Sequence, residues 1–200
     1  MTQEPAGPRT RSAAAKADLV ERARAGDHAA FSILAKDALP RVYGAARLIL
    51  RDQDRAEDAA QEALLLAWRH VAAIRDLDAW DSWLYRLTVR ACYRLASGPA
   101  ARRVAALDVR VERPSGAPDF TREIVERDRI LAALGALPVE QRAVIVLHFH
   151  LDLPLTQVAV VLDIPPGTAK SRLHRALEAL RAALGEEPDE ITSAMRERPA

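Results

Sequence analysis

The sequence predicts an all-α fold: two small helical domains joined by a flexible linker, the C-terminal one a helix-turn-helix. Three observations carry this. Ala, Leu and Arg are abundant and aromatics are few, a composition that favours helices. Apolar residues recur at helical spacing, and no convincing strand interrupts them. A stretch at about 100–120, with Pro114, Ser115, Gly116 and Pro118, breaks the periodicity and marks a boundary.

Half of the 200 residues are apolar, ample for a core. Lys and Arg number 29 against 28 acids, a net charge of +1, so the whole chain is not a basic polyelectrolyte. Any nucleic-acid binding must come from charge segregated along it. The single cysteine, Cys92, excludes an intramolecular disulfide and a cysteine-built metal site. The N-terminus lacks an apolar signal core, and no apolar run reaches the roughly 18–20 residues that span a bilayer. These features predict a soluble cytoplasmic protein without membrane insertion.

Residues 1–15 mix Pro, Gly, Ser, Thr and charge and read as a disordered tail. Ala17 to Ala25 carries Leu19, Val20 and Ala23, enough for a short helix, and Asp27 is placed to cap the next. From His28 to Leu50 the pattern is helical, with Pro40 expected to kink or reset it. A helix from about Asp54 to Val71 buries Ala60, Ala63, Leu64, Ala67, Trp68 and Val71. It places Glu57, Asp58, Gln61 and Glu62 near its positive end. His70 to Asp78 reads as an irregular link.

The next helix, about Ala79 to Ser97, has Trp80, Trp83, Leu84, Leu87, Ala91 and Leu95 on one side. Arg86, Arg90 and Arg94 repeat along another, with Tyr85 and Tyr93 interleaved. No acid occurs from Leu84 to Arg103. Cations among aromatics suit strand phosphates and unstacked bases, and the same Trp residues equally suit a core. Beyond the linker a helix to about Leu134 is expected, then one from Val139 to Leu151, and a tail over 185–200.

The most informative stretch is Pro154 to Leu184. Leu155, Val158, Ala159 and Leu162 form one apolar stripe. Asp163-Ile164-Pro165-Pro166 breaks the helix, and Pro166 suits the first turn of the next. There Leu173, Leu177, Leu180 and Leu184 make a buried seam, while Lys170, Ser171, Arg172, His174 and Arg175 occupy other faces. A short helix, a turn and a second helix with basic and hydroxyl side chains near its start match helix-turn-helix geometry. An amphipathic hairpin with a solvated basic face fits the same spacing.

The string Ile164-Pro165-Pro166-Gly167-Thr168-Ala169-Lys170-Ser171-Arg172-Leu173-His174-Arg175-Ala176 resembles the recognition-helix signature of bacterial sigma factors of the extracytoplasmic-function (ECF) class. Leu137-Pro138 and Gln141-Arg142 resemble the opening of that domain. Ala56 to Arg69 is similar to the sigma region 2 helix that docks on a coiled coil of RNA polymerase, and Asp81 to Leu87 to the segment that reads the minus-10 element.

The resemblance covers about Leu19 to Leu184. It implies a region 2-like domain over 16–99 and a region 4-like domain over 121–184. It also implies the site residues. Asp58, Gln61 and Glu62 bind core RNA polymerase. Trp83, Tyr85, Arg86, Arg90 and Arg94 bind minus-10 promoter DNA, with 71–78 as a loop that captures a flipped base. Gly167, Thr168, Lys170, Ser171, Arg172 and Arg175 bind the minus-35 element. An anti-sigma protein is a further implied partner.

The chain departs from the family in three places: small Ala59-Ala60, Arg90 and Arg94 where Asn and Asp are usual, and a thinned basic tail at 100–103. No cofactor, metal or catalysis is expected. His148 and His150 fall on different sides of a helix, and no Gly-rich phosphate loop is present. The competing reading is a helix-turn-helix regulator that binds DNA without delivering polymerase.

Overall fold

A computed structural model describes residues 8–97 and 120–185. The 100–120 linker, apart from Phe120, and the tail beyond Gly185 lie outside the described residues. The chain divides into two compact units, Met1–Arg94 and Leu95–Ala200. Every regular element among the described residues is a helix.

Unit one comprises α1 (Pro8–Arg24), α2 (His28–Leu50), α3 (Gln53–His70) and most of α4 (Trp80–Ser97). Helix α1 starts well before the expected Ala17, so the part of the predicted tail from Pro8 onward is helical. Ala13, Ala14 and Ala15 supply propensity, and Pro8 fits a first helical position. Val20 and Ala23 are buried and hold this helix to the unit.

Asp27 joins α1 to α2. Its Oδ1 accepts the N–H groups of Ala29 (2.9 Å) and Ala30 (3.0 Å), as an N-cap does. Its Oδ2 accepts from Arg22 Nε (3.0 Å) and Nη2 (2.7 Å). Helix α2 then runs unbroken through Pro40, contrary to the expected reset. Pro40 is exposed, so its missing hydrogen bond lies on the solvent side, and buried Ala38 and Val42 anchor the helix on both sides. Arg51, in the left-handed region at φ 60°, ends α2, and Asp52 caps α3 by accepting from Arg55 N at 3.0 Å.

Helices α2 and α3 meet along an alanine seam: Ala56, Ala59, Ala60, Ala63 and Ala67 of α3 are all buried. Small side chains let backbones approach closely. The Ala59-Ala60 departure therefore sits on the packed side of α3, away from its exposed acidic face. The link after α3 folds as two 3₁₀ turns, Val71–Ala73 and Leu77–Ala79, pinned by buried Val71 and Ile74.

Unit two contains α5 (Phe120–Ala136), α6 (Val139–Ile145), α7 (Leu155–Leu162) and α8 (Pro166–Leu184). The predicted helix to Leu151 is α only to Ile145. It continues as a π turn, Val146–His150, with Leu151 N–H donating to Val146 O at 3.1 Å. His148 Nδ1–H donates to Leu153 O at 2.8 Å and so closes the turn. Arg129 of α5 donates to Leu184 O at 2.9 Å, giving the end of α8 a partner from another helix.

Asp27 is held below the ordinary carboxylate range, first by the Ala30 N–H and then by Arg22. A depressed folded-state value means the stabilisation is present above the unfolded value of about 3.9 and is lost as pH falls through the folded one. Asp27→Ala should lower the melting temperature at pH 7. Its difference from wild type should shrink below about pH 4, as read by circular dichroism across a pH series.

Candidate nucleic-acid interface

The turn between α7 and α8 is made by Asp163, left-handed at φ 57° and ψ 47°, which Asp tolerates better than most residues. Ile164 N–H donates back to Ala159 O at 3.1 Å, closing the end of α7. Pro165 has extended backbone, and Pro166 opens α8. No side chain caps this end. Thr168 and Ala169 N–H groups both donate to Pro165 O, at 2.9 and 3.0 Å. Pro166 has no N–H, so Gly167 supplies the first N–H that the turn leaves over.

Ala169, Leu173, Ala176 and Leu177 are the buried side of α8. Leu180 and Leu184, expected in the same seam, are half-buried. Gly167, Lys170, Ser171, His174, Arg175 and Glu178 are exposed. Of the sequence-derived DNA residues, Gly167, Lys170, Ser171 and Arg175 share this outward face. Thr168 and Arg172 are half-buried at its edges. Ser171 Oγ donates to Thr168 O at 3.1 Å, and Arg175 Nε donates to Ser171 O at 3.3 Å, which lays the guanidinium along the helix. His174 Nε2 lies 3.3 Å from Glu178 Oε1, a pair on the same face that sequence reasoning did not single out.

A Cβ added at Gly167 meets nothing within 4 Å, and its φ is not positive. Glycine there answers to no crowding within the unit.

In unit one Asp58, Gln61 and Glu62 lie at i, i+3 and i+4 opposite the alanine seam; the first two are exposed and Glu62 is half-buried. On α4, Trp83 and Arg86 are half-buried, and Arg90 and Arg94 are exposed. These four share one flank by their spacing. Tyr85 does not join them. It is 4% exposed and lies with Leu84, Thr88, Val89 and Cys92 on the buried side, and burial raises its phenol pKa. The buried stripe of α4 keeps Trp80, Leu84 and Ala91 with Cys92, but Trp83, Leu87 and Leu95 are half-buried and Tyr85 takes a core place instead. The Cys92 thiol is pushed up to about 12 by burial, which removes it from thiolate chemistry.

An aromatic run backs this flank. Ring centroids lie 4.9 Å apart for Phe31 and Trp68, 6.0 Å for Phe31 and Trp80, and 5.8 Å for Trp80 and Trp83. Lys16 of α1 donates to both oxygens of Asp81, at 3.3 and 3.0 Å, and ties α1 to the first turn of α4. Across α3 and α4, Arg94 forms a two-pronged ion pair with Glu62, Nη1 to Oε1 and Nη2 to Oε2. No sequence periodicity links residues 32 positions apart. Among the described residues no cluster of His, Cys, Asp or Glu is built to hold a metal, and no helix is long and apolar enough to cross a membrane.

Comparison with known proteins gives these two units a class, that of the sigma-70 transcription factors. The sequence model of Sigma-70 region 2 matches residues 34–102, and that of Sigma-70 region 4 matches 127–180. The chain is 34% identical to the ECF RNA polymerase sigma factor SigM of Mycobacterium tuberculosis over 169 residues, 84% of either protein. It is 30% identical to the RNA polymerase sigma-H factor of Pseudomonas aeruginosa, over 83% of this chain and 92% of that one.

Two solved structures share the fold. CnrH in complex with the cytosolic domain of CnrY has a TM-score of 0.64 and 24% identity, over 86% of this chain and 97% of that one. RpoE with the anti-sigma factor NepR from Bartonella quintana has a TM-score of 0.60 and 22% identity, over 79% and 98%. The chain belongs to the extracytoplasmic-function RNA polymerase sigma factors. It directs promoter-specific transcription, and a regulator built on the helix-turn-helix alone is not favoured.

Gly167→Ala should raise the stability of unit two by about 0.4–1 kcal/mol through the unfolded chain's lost freedom. If a phosphate approaches the Gly167 N–H, the same change should weaken promoter binding. Urea melts and binding isotherms read the two effects separately.

Proposed function

We propose that the exposed face of α3 docks on core RNA polymerase, the flank of α4 holds the opened minus-10 strand, and α8 enters the major groove at minus-35. The observation that carries this is the placement of Lys170, Ser171 and Arg175 together on the outward side of α8. Lys170 supplies a phosphate contact, Arg175 a base or phosphate contact, and Ser171 a hydroxyl beside them. Arg172 acts from the edge of the face, its stem partly packed. The uncapped α8 N-terminus favours a backbone phosphate at Gly167.

On α4, Trp83 is the stacking aromatic, with Arg86, Arg90 and Arg94 along the strand. Tyr85 supports from the core. The loop between the two 3₁₀ turns receives a flipped base. Asp58, Gln61 and Glu62 present the polymerase contact. The work is binding and strand separation without covalent chemistry, and it takes place where polymerase is, in the cytoplasm. An anti-sigma protein, the kind of partner named for the Bartonella quintana structure, holds this chain inactive. Domains of modest affinity gain from being tethered, so each unit binds weakly alone.

Purified core polymerase with this chain should give run-off transcripts from a promoter selected out of random DNA. Binding without initiation would defeat the proposal. Arg175→Ala should cost about 1–3 kcal/mol in promoter binding and relax specificity at one base pair. Lys170→Ala should weaken all sequences alike and reduce the log–log salt slope by about 0.9. An unchanged slope would leave Lys170 as a solvated lysine.

A further inference from the structure

We propose that Glu62 and Arg94 act as one exchange unit, in which polymerase docking at Glu62 releases Arg94 to DNA. This rests on the roles proposed above for these two side chains. Those roles assign them to different macromolecules, yet the structure joins them to each other across α3 and α4.

The geometry sets the two assignments in competition for the same charges. Both terminal nitrogens of Arg94 are taken, one by each oxygen of Glu62. A guanidinium fork that meets a carboxylate in this two-pronged way is the same fork that would meet a phosphate. The carboxylate likewise spends both oxygens inward. While the pair stands, the polymerase-facing acid is neutralised, and the strand-facing cation is cancelled.

The pair is also weak enough to exchange. Arg94 is 57% exposed and Glu62 29%, so water reaches both partners. An exposed pair of this kind contributes little to stability and is screened by salt. A cation on the docking surface of polymerase competes for Glu62, and a strand phosphate competes for Arg94. Each event removes the other's competitor. By linkage the effect is reciprocal: polymerase raises affinity for the strand by the factor with which the strand raises affinity for polymerase. The worth of an exposed pair limits that factor to about two- to fivefold.

The test uses the full chain, a mixed-sequence single-stranded oligonucleotide at low salt, and fluorescence anisotropy. Glu62→Gln keeps the shape and removes the charge. Asp58→Asn removes the same charge one turn earlier, at a side chain with no ion pair among the described residues, and sets the background gain. Glu62→Gln should tighten strand binding two- to fivefold beyond Asp58→Asn and steepen the salt slope by about 0.7, one extra phosphate contact. Adding Arg94→Ala to Glu62→Gln should abolish that excess. At saturating core polymerase, wild type and Glu62→Gln should hold the strand equally, because docking has already opened the pair.

Equal gains from Glu62→Gln and Asp58→Asn, with Arg94→Ala still weakening binding, would overturn the exchange and leave Arg94 as a strand contact. No effect of Arg94→Ala in either background would overturn the exchange and the strand role of Arg94 together.

Discussion

The rotation of α8 about its own axis is the constraint on which the minus-35 reading depends. Burial of Ala169, Leu173, Ala176 and Leu177 fixes it. Fully burying one leucine is worth about 1.5–3 kcal/mol, more than any exposed hydrogen bond on the opposite side. Once that side is committed, Lys170, Ser171, His174 and Arg175 have nowhere to go but outward. The outward polar face of α8 is thus a consequence of hydrophobic packing. Arg175 N–H to Ser171 O and Ser171 O–H to Thr168 O then limit where the polar groups swing.

Unit one obeys the same logic with smaller side chains. The alanine seam of α3 sets how close α2 and α3 lie and turns Asp58 and Gln61 to solvent. On α4 the buried stripe takes Leu84, Tyr85, Thr88, Val89 and Cys92. Thr88 offsets the cost of its buried hydroxyl by donating to Leu84 O at 2.9 Å. What remains on the flank is Trp83 with three arginines. An aromatic run through Phe31, Trp68, Trp80 and Trp83 stiffens the end of α4 where the link from α3 arrives.

Much of this was legible in the chain itself, for local reasons. The Pro165-Pro166 break and the leucine steps of α8 are signals written within a few residues of each other and place the helix-turn-helix, while Asp27 marks the start of α2 in the same local way. Failures came where a local rule met tertiary packing. Pro40 reads as a kink or a reset, and the reset does not occur because exposure on the solvent side lets α2 continue. Tyr85 reads as a base-stacking aromatic, but its position two after Trp83 turns it into the core. The π turn at Val146–His150 depends on a histidine-to-carbonyl bond that periodicity does not encode. The Glu62–Arg94 pair left only an indirect trace, an arginine where the family resemblance leads one to expect an acid.

Charge balance closes the physical picture. A molecule with net charge +1 gains little from long-range attraction to a polyanion. Several of its cations are moreover tied to acids within unit one: Lys16 and Arg41 among Asp37 and Asp81, Arg22 on Asp27, Arg94 on Glu62. By contrast, the outward face of α8 holds Lys170 and Arg175 with one carboxylate, Glu178, which is matched to His174. Non-specific DNA binding scales with the phosphates a surface can neutralise, so cations already matched to acids in unit one add little to it. On the function proposed above, affinity for a promoter is assembled from two separate faces and the polymerase that carries them, which confines the chain's action to places where all three meet.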